Sequence, residues 1–169
     1  MELVVLVDEK NNEIGTAPKD TVHTQNTPLH RGFSLFLFNK KQELLLTKRS
    51  KGKKTFPSVW TNTVCGHPGP GEGAIAAAKR RLKDELGIDV SNIKEIAPYR
   101  YRFVDKNGIV ENEICPILVA HADSDPRSSQ DEVEAWRWVA WQDFLEDSKK
   151  RPGDYSPWCV EEALKVPQA

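Results

Sequence analysis

The stretch Gly66-His67-Pro68-Gly69-Pro70-Gly71-Glu72-Gly73-Ala74-Ile75-Ala76-Ala77-Ala78-Lys79-Arg80-Arg81-Leu82-Lys83-Asp84-Glu85-Leu86-Gly87-Ile88 joins a Gly/Pro-rich loop to an amphipathic segment. Ile75, Ala78, Leu82 and Leu86 recur at helical spacing, which predicts a helix over 71–86 with that stripe against a sheet, and Gly87 stops it. Arg81 and Glu85 stand one turn apart on the flank of the stripe. A surface ion pair is the plainer reading of them. In the functional reading Arg81 contacts phosphate oxygens while Glu85 holds a divalent ion bound to the same oxygens.

Outward from this helix, apolar runs at Leu3–Val7, Phe33–Phe38 and 44–46 predict strands, with Asn39-Lys40-Lys41-Gln42 as a hairpin turn between the last two. A second hairpin starts at 99–104, turns at Asp105-Lys106-Asn107-Gly108 and continues as one long strand over 109–120, where Pro116 marks an edge or bulge. A further strand is predicted over 134–141 and a polar loop over 123–131. Ser156-Pro157 places a capping hydroxyl and a proline at the first helical position, opening a last helix through Val166. The fold class is α+β.

With 169 residues, 38% of them hydrophobic and 29% charged, the chain reads as one globular domain over 1–169 with one main core. Lysine and arginine total 24 against 25 for aspartate and glutamate, so the whole molecule offers no attraction to nucleic acid or membrane, and any anion site must be local. The basic run Lys48-Arg49-Ser50-Lys51-Gly52-Lys53-Lys54 lies between apolar stretches and reads as a loop. No signal peptide and no membrane-length apolar run is visible, and three cysteines without Cys-x-x-Cys spacing suggest neither a disulfide framework nor a thiolate zinc cage. A cytoplasmic monomer is expected.

Thr61-Asn62-Thr63-Val64-Cys65-Gly66-His67-Pro68 sets a thiol two residues from an imidazole. A thiol becomes a useful base or nucleophile only when its thiolate is stabilised. For Cys65 that reading and a buried structural cysteine both stand; Cys115 and Cys159 take the structural one. In Val110-Glu111-Asn112-Glu113-Ile114-Cys115 the strand period puts Glu111 and Glu113 on one face, and the apolar residues that follow favour a bound cation over a solvated face. His23, His30 and His67 lie in irregular polar segments with no packing reason to be there, whereas His121 looks incidental. Three imidazoles and two carboxylates suit Mg2+, Mn2+ or Zn2+, and ligand type does not choose among them.

Gly66-x5-Glu72-x7-Arg80-Arg81-Leu82-Lys83-Asp84-Glu85-Leu86-Gly87-Ile88 follows the Nudix box in length and at most positions. Where the box has Glu-x-x-Glu-Glu, this chain has Arg81, Asp84 and Glu85, which argues against a Nudix hydrolase and its metal-activated water. Taken with Cys65-Gly66-His67, Glu111-Asn112-Glu113 and Ser156-Pro157-Trp158, the box resembles the type I isopentenyl diphosphate isomerases, over nearly the whole chain. Two rivals are a Nudix hydrolase cleaving another diphosphate and a non-catalytic metal- or phosphate-binding module.

The resemblance implies a Nudix-like α/β/α sandwich, with a mixed β-sheet between the box helix and the C-terminal helix. It implies a metal at His23, His30, His67, Glu111 and Glu113, and a second ion at Glu85 bridging to the substrate diphosphate. Lys19, Arg49, Lys53 and Arg81 would surround that diphosphate. Cys65 and Glu113 would flank the alkene, with Glu113 and Tyr101 delivering one proton and Cys65, as thiolate, accepting the other; the reverse assignment stays open. Trp158 would present its ring to the cationic state, worth about 2 kcal/mol when water is excluded. Trp60, Trp136, Trp138 and Trp141 read as core packing. Loops after Asp20 and before Trp158 would close over the substrate.

Overall fold

A computed structural model describes residues 1–127 and 131–167. In chain order the strands are β1 (Leu3–Val7), β2 (Glu13–Pro18), β3 (His30–Arg31), β4 (Phe33–Phe38), β5 (Glu43–Arg49), β6 (Trp60–Thr61) and β7 (Val64–Gly66). Helix α1 (Ala74–Leu86) follows, then β8 (Lys94–Ala97), β9 (Arg100–Val104), β10 (Val110–Ile114), β11 (Ile117–His121) and β12 (Val133–Ala140). Helices α2 (Trp141–Lys150) and α3 (Pro157–Ala163) close the described chain.

The strands form two mixed sheets. One has the order β2-β1-β3-β10-β9; the other has the order β12-β5-β4-β11-β8, with β6 on β5 and β7 on β4. Strand β4 is buried along its whole length, as a central strand covered on both faces must be. Its alternation sends Phe33, Leu35 and Leu37 into a core with Ala77, Ala78, Leu82 and Leu86 of α1. Phe36 and Phe38 go into a second core with Phe144 of α2 and Trp158 and Cys159 of α3. At about 1.5–3 kcal/mol for each large apolar side chain buried, these two faces drive the layering of helix, sheet, helix.

The sequence expectation of one strand over 109–120 is corrected here. The chain breaks at Cys115-Pro116: β10 lies in the first sheet and β11 in the second. Beside it β3 and β4 make the same change of sheet at Gly32, so β3 pairs with β10 and β4 with β11, both in parallel. Gly32 N–H donates to the Ile114 carbonyl and Ser34 N–H to that of Pro116, at 2.9 and 3.1 Å, which stitches the crossing. Proline has no N–H to give a ladder, so the run could not continue unbroken.

Other boundaries shift for local reasons. Helix α1 begins at Ala74, after the glycines of the preceding loop, and Ile75 in its first turn is 46% exposed while Ala77 joins Ala78, Leu82 and Leu86 on the inward face. Gly87 ends α1 at φ 66°, donating to the Lys83 carbonyl. The strand expected over 134–141 stops at Ala140, and Trp141 opens α2, a helix the sequence reading did not foresee. Helix α3 ends at Ala163 rather than Val166, and Ser156 stands at its N-cap with its hydroxyl bonded to Thr61 at 2.8 Å instead of capping. Of the loop expected over 123–131, residues 128–130 lie outside the described residues.

Candidate active site

Strand register assembles the site. His30 of β3 pairs with Glu113 of β10, and Glu113 pairs with Tyr101 of β9, so three functional side chains stand in a row across three strands. Gly32 gives the room: a methyl group there would collide with the Glu113 carboxylate. The row opens onto a cavity of about 390 Å³, within the range of small-molecule sites.

His23, His30, His67 and Glu113 bring their donor atoms within 4.8 Å of one another. The ring centroids of the three histidines lie 5.1–5.6 Å apart. His30 Nδ1 lies 2.9 Å from the Pro28 carbonyl, which places the proton there and turns the lone pair of Nε2 toward the cluster. Nε2 of His30 is buried without a hydrogen-bond partner. Nε2 of His23 and Oε2 of Glu111 face only each other; burial opposes the charge on His23, but Glu111 raises the imidazole nonetheless, and a cation would take the place of that proton. Burial, then the neighbouring His30 and His23, hold His67 well below the usual histidine range, so its imidazole is neutral, as a ligand must be. Glu111 stands at the rim, with Oε2 3.2 Å from His23 Nε2 and Oε1 accepting from the Thr55 hydroxyl.

On the other side of Glu113, the Tyr101 hydroxyl donates to Oε2 at 2.8 Å. Cys65 also lines the cavity, on β7 opposite Ser34. Its thiol donates to Asn62 Oδ1 at 3.2 Å and lies 3.6 Å from the Ser34 hydroxyl. Burial and the Glu162 carboxyl push Cys65 up to about 12, which favours the thiol and so the assignment in which Cys65 starts as the proton donor. Trp158 stacks on Tyr101 with ring centroids 5.8 Å apart, and the Arg49 guanidinium sits 5.2 Å from its ring.

The cations around the cavity already have partners. Lys19 pairs with Glu2 at 3.0 Å, Lys53 with Glu132, and Arg81 with Glu85 at 2.5 Å. Arg49 instead donates to the carbonyls of Phe56 and Thr55 at 3.1 and 2.9 Å. Glu85 is raised because burial outweighs the attraction of Arg81 and Lys53. Gly66 lets Arg81 come this close: a Cβ there would meet the Phe33 ring at 2.8 Å and Arg81 Cγ at 3.2 Å.

Every residue singled out by the sequence thus reaches one region, with His30 behind the cavity wall and Glu85 beneath Arg81. Trp60, Trp136, Trp138 and Trp141 pack against the cores, as does Cys159, and His121 lies at the far end of β11 beside Phe38. The sequence reading missed Thr55, Ser34 and Asn62, which orient Glu111 and Cys65. It also missed Glu132, which pairs with Lys53, and Glu162, which is fully buried on α3. Asn62 stands in the Thr61–Pro68 stretch with no role read for it, and the others stand in no patterned motif, so proximity in the fold reveals what they do.

The NUDIX domain family matches residues 28–159 of this chain. The chain is 48% identical over 174 residues to the isopentenyl-diphosphate Delta-isomerase of Corynebacterium glutamicum, covering 99% of this chain and 92% of that one. It is 44% identical over 167 residues to that of Saccharopolyspora erythraea, covering 98% and 86%. It is 46% identical over 163 residues to that of Klebsiella pneumoniae, covering 96% and 89%. Among solved structures, a protein from Deinococcus radiodurans superposes with a TM-score of 0.77 at 18% identity, covering 96% of this chain and 98% of that one. A MutT NUDIX hydrolase from Burkholderia pseudomallei gives 0.62 at 21% identity, covering 82% and 98%. Those two likenesses concern the fold alone.

Proposed function

The chain belongs to the isopentenyl-diphosphate Delta-isomerase family, built on a Nudix domain, and from that premise we propose that it interconverts isopentenyl and dimethylallyl diphosphate. The observation that carries this reading is that the Cys65 thiol and the hydrogen-bonded Tyr101–Glu113 pair line the same cavity as Lys19, Arg49, Lys53 and Arg81. One end of such a cavity suits a diphosphate, and the other offers two proton-transfer groups to an alkene. The seven-stranded sheet, covered by both cores, supports reading 1–169 as one isomerase domain.

Moving the double bond adds a proton at C4 and removes one at C2, through a tertiary cationic state. Cys65 serves one carbon and Glu113 with Tyr101 the other; because the reaction is reversible, each group donates in one direction and accepts in the other. The rings of Trp158 and Tyr101, stacked at 5.8 Å, wall the reacting carbons with π faces that favour a passing cation and exclude the water that would capture it. The diphosphate is gripped by Lys19, Arg49, Lys53 and Arg81, which fixes the hydrocarbon against the two proton-transfer groups.

His23, His30, His67 and Glu113, with Glu111 at the rim, would hold a divalent ion such as Mg2+, Mn2+ or Zn2+, and Glu85 a second one shared with the diphosphate. Bound there, such an ion supplies positive charge that orients the Glu113 carboxylate and neutralises phosphate oxygens.

The test is to incubate the purified protein with isopentenyl diphosphate, Mg2+ and Mn2+ in heavy water, following products by NMR and free phosphate alongside. Dimethylallyl diphosphate carrying solvent deuterium, with no phosphate released, is expected, and Cys65→Ala should lower the rate at least about a hundredfold. Phosphate release without the dimethylallyl product would replace this reading with a hydrolase.

A further inference from the structure

Of the four cations assigned to the diphosphate, two share a single carboxylate. Glu132 stands where the chain enters β12; its Oε2 accepts from Lys53 of the basic loop, and its Oε1 lies 3.6 Å from Arg81 of α1. Two oxygens of one anion thus bridge two cations from separate elements, as a pair of phosphate oxygens would. Burial opposes its charge, but the Lys53 hydrogen bond and the charges of Lys53 and Arg81 hold Glu132 below the usual glutamate range, so it is ionised. Its side chain is 31% exposed, against 8% for Glu85 on the same arginine. Glu132 is therefore the carboxylate on Arg81 that water and an entering ligand can reach.

We propose that Glu132 is a built-in stand-in for the substrate's diphosphate, bridging Lys53 and Arg81 before substrate binds and displaced by the phosphate oxygens when it does. The inference rests on the reading of Lys53 and Arg81 as part of the diphosphate clamp. While seated, Glu132 cancels the repulsion between the two cations. To enter, an anion must displace that carboxylate, so Glu132 lowers the apparent affinity of the two cations for any anion. Glu132 then sets a threshold that a ligand with several contacts to the clamp, such as a diphosphate, passes at low concentration.

The test is calorimetric titration of inorganic pyrophosphate and of acetate into the full-length protein without added divalent metal. The proteins compared are the wild type, Glu132→Gln, Lys53→Met and the double variant. Glu132→Gln should bind pyrophosphate about fivefold more tightly and acetate more tightly by a similar factor, since a displaced competitor weighs equally on both. Lys53→Met should weaken pyrophosphate binding, and the gain from Glu132→Gln should be smaller in its background, because the two charges are directly paired. Unchanged or weaker pyrophosphate binding by Glu132→Gln, with Lys53→Met still damaging, would overturn the stand-in and leave the clamp intact. Lys53→Met without effect would remove the clamp reading itself, and the stand-in with it.

Discussion

Gly32 and Glu113 are 81 positions apart in the chain yet compete for the same space, since a Cβ on Gly32 would fall on the Glu113 carboxylate. Gly32→Ala should therefore leave the sheets intact but swing Glu113 out of the histidine cluster, lowering metal affinity at least about tenfold by metal titration. Unaltered affinity in a folded variant would mean that Glu113 is not a ligand. The neighbouring hydrogen bond from Tyr101 to Glu113, 2.8 Å long, makes a different demand. Tyr101→Phe should lower kcat about a hundredfold with little change in KM, because the hydroxyl touches the proton-transfer carboxylate and not the diphosphate clamp. A rise in KM with kcat intact would assign the hydroxyl to binding instead.

At the scale of elements, α3 pushes an acid into the second core. Glu162 is fully buried, and both its oxygens lack hydrogen-bond partners. Burial, reinforced by Glu113 and Glu161, holds its carboxyl well above the usual glutamate range. The sign of the linkage follows: below the ordinary glutamate pKa both folded and unfolded chains carry the proton, and as pH rises only the unfolded chain ionises freely, so folding loses stability toward neutrality. Glu162→Met should therefore raise the melting temperature, by about 1–3 kcal/mol of stability at pH 7, with a smaller gain near pH 4. Thermal melts across that range check it; a gain that grows on acidification would show that Glu162 is ionised in the fold. No sequence pattern marks this residue, since a glutamate in the short helix Pro157–Ala163 looks like any surface acid until the facing sheet is known.

Over the whole molecule, the histidine cluster ties the first sheet to the rest of the fold. His30 comes from β3 in the first sheet, His67 from the loop after β7 of the second, and His23 from the segment between β2 and β3. An ion bound by all three links parts that separate on unfolding, so it should stabilise the native state by about 2.7 kcal/mol at a hundred times its dissociation constant. Melting with increasing Mn2+ or Zn2+, and again after chelation, should show that rise and its reversal. Replacement of His30 by Ala should remove the metal-dependent part, and a rise that survives would place the ion elsewhere.

The sequence by itself determined whatever is local. The apolar run Phe33–Phe38 announced a strand, the glycine after Leu86 announced the end of α1, and the residue types of the histidines, Glu111, Glu113 and Cys65 pointed to metal and proton chemistry. The spacing around Arg81 and Glu85 and its companion motifs were long enough to point to the family, to which the relatives then bore witness. Only the tertiary structure decided that 109–120 divides between two sheets, that His30, Glu113 and Tyr101 share one row, and that Glu132 closes on Lys53 and Arg81. A strand's period says which face a side chain takes, but the strand that lies beside it is chosen by the packing of the whole chain.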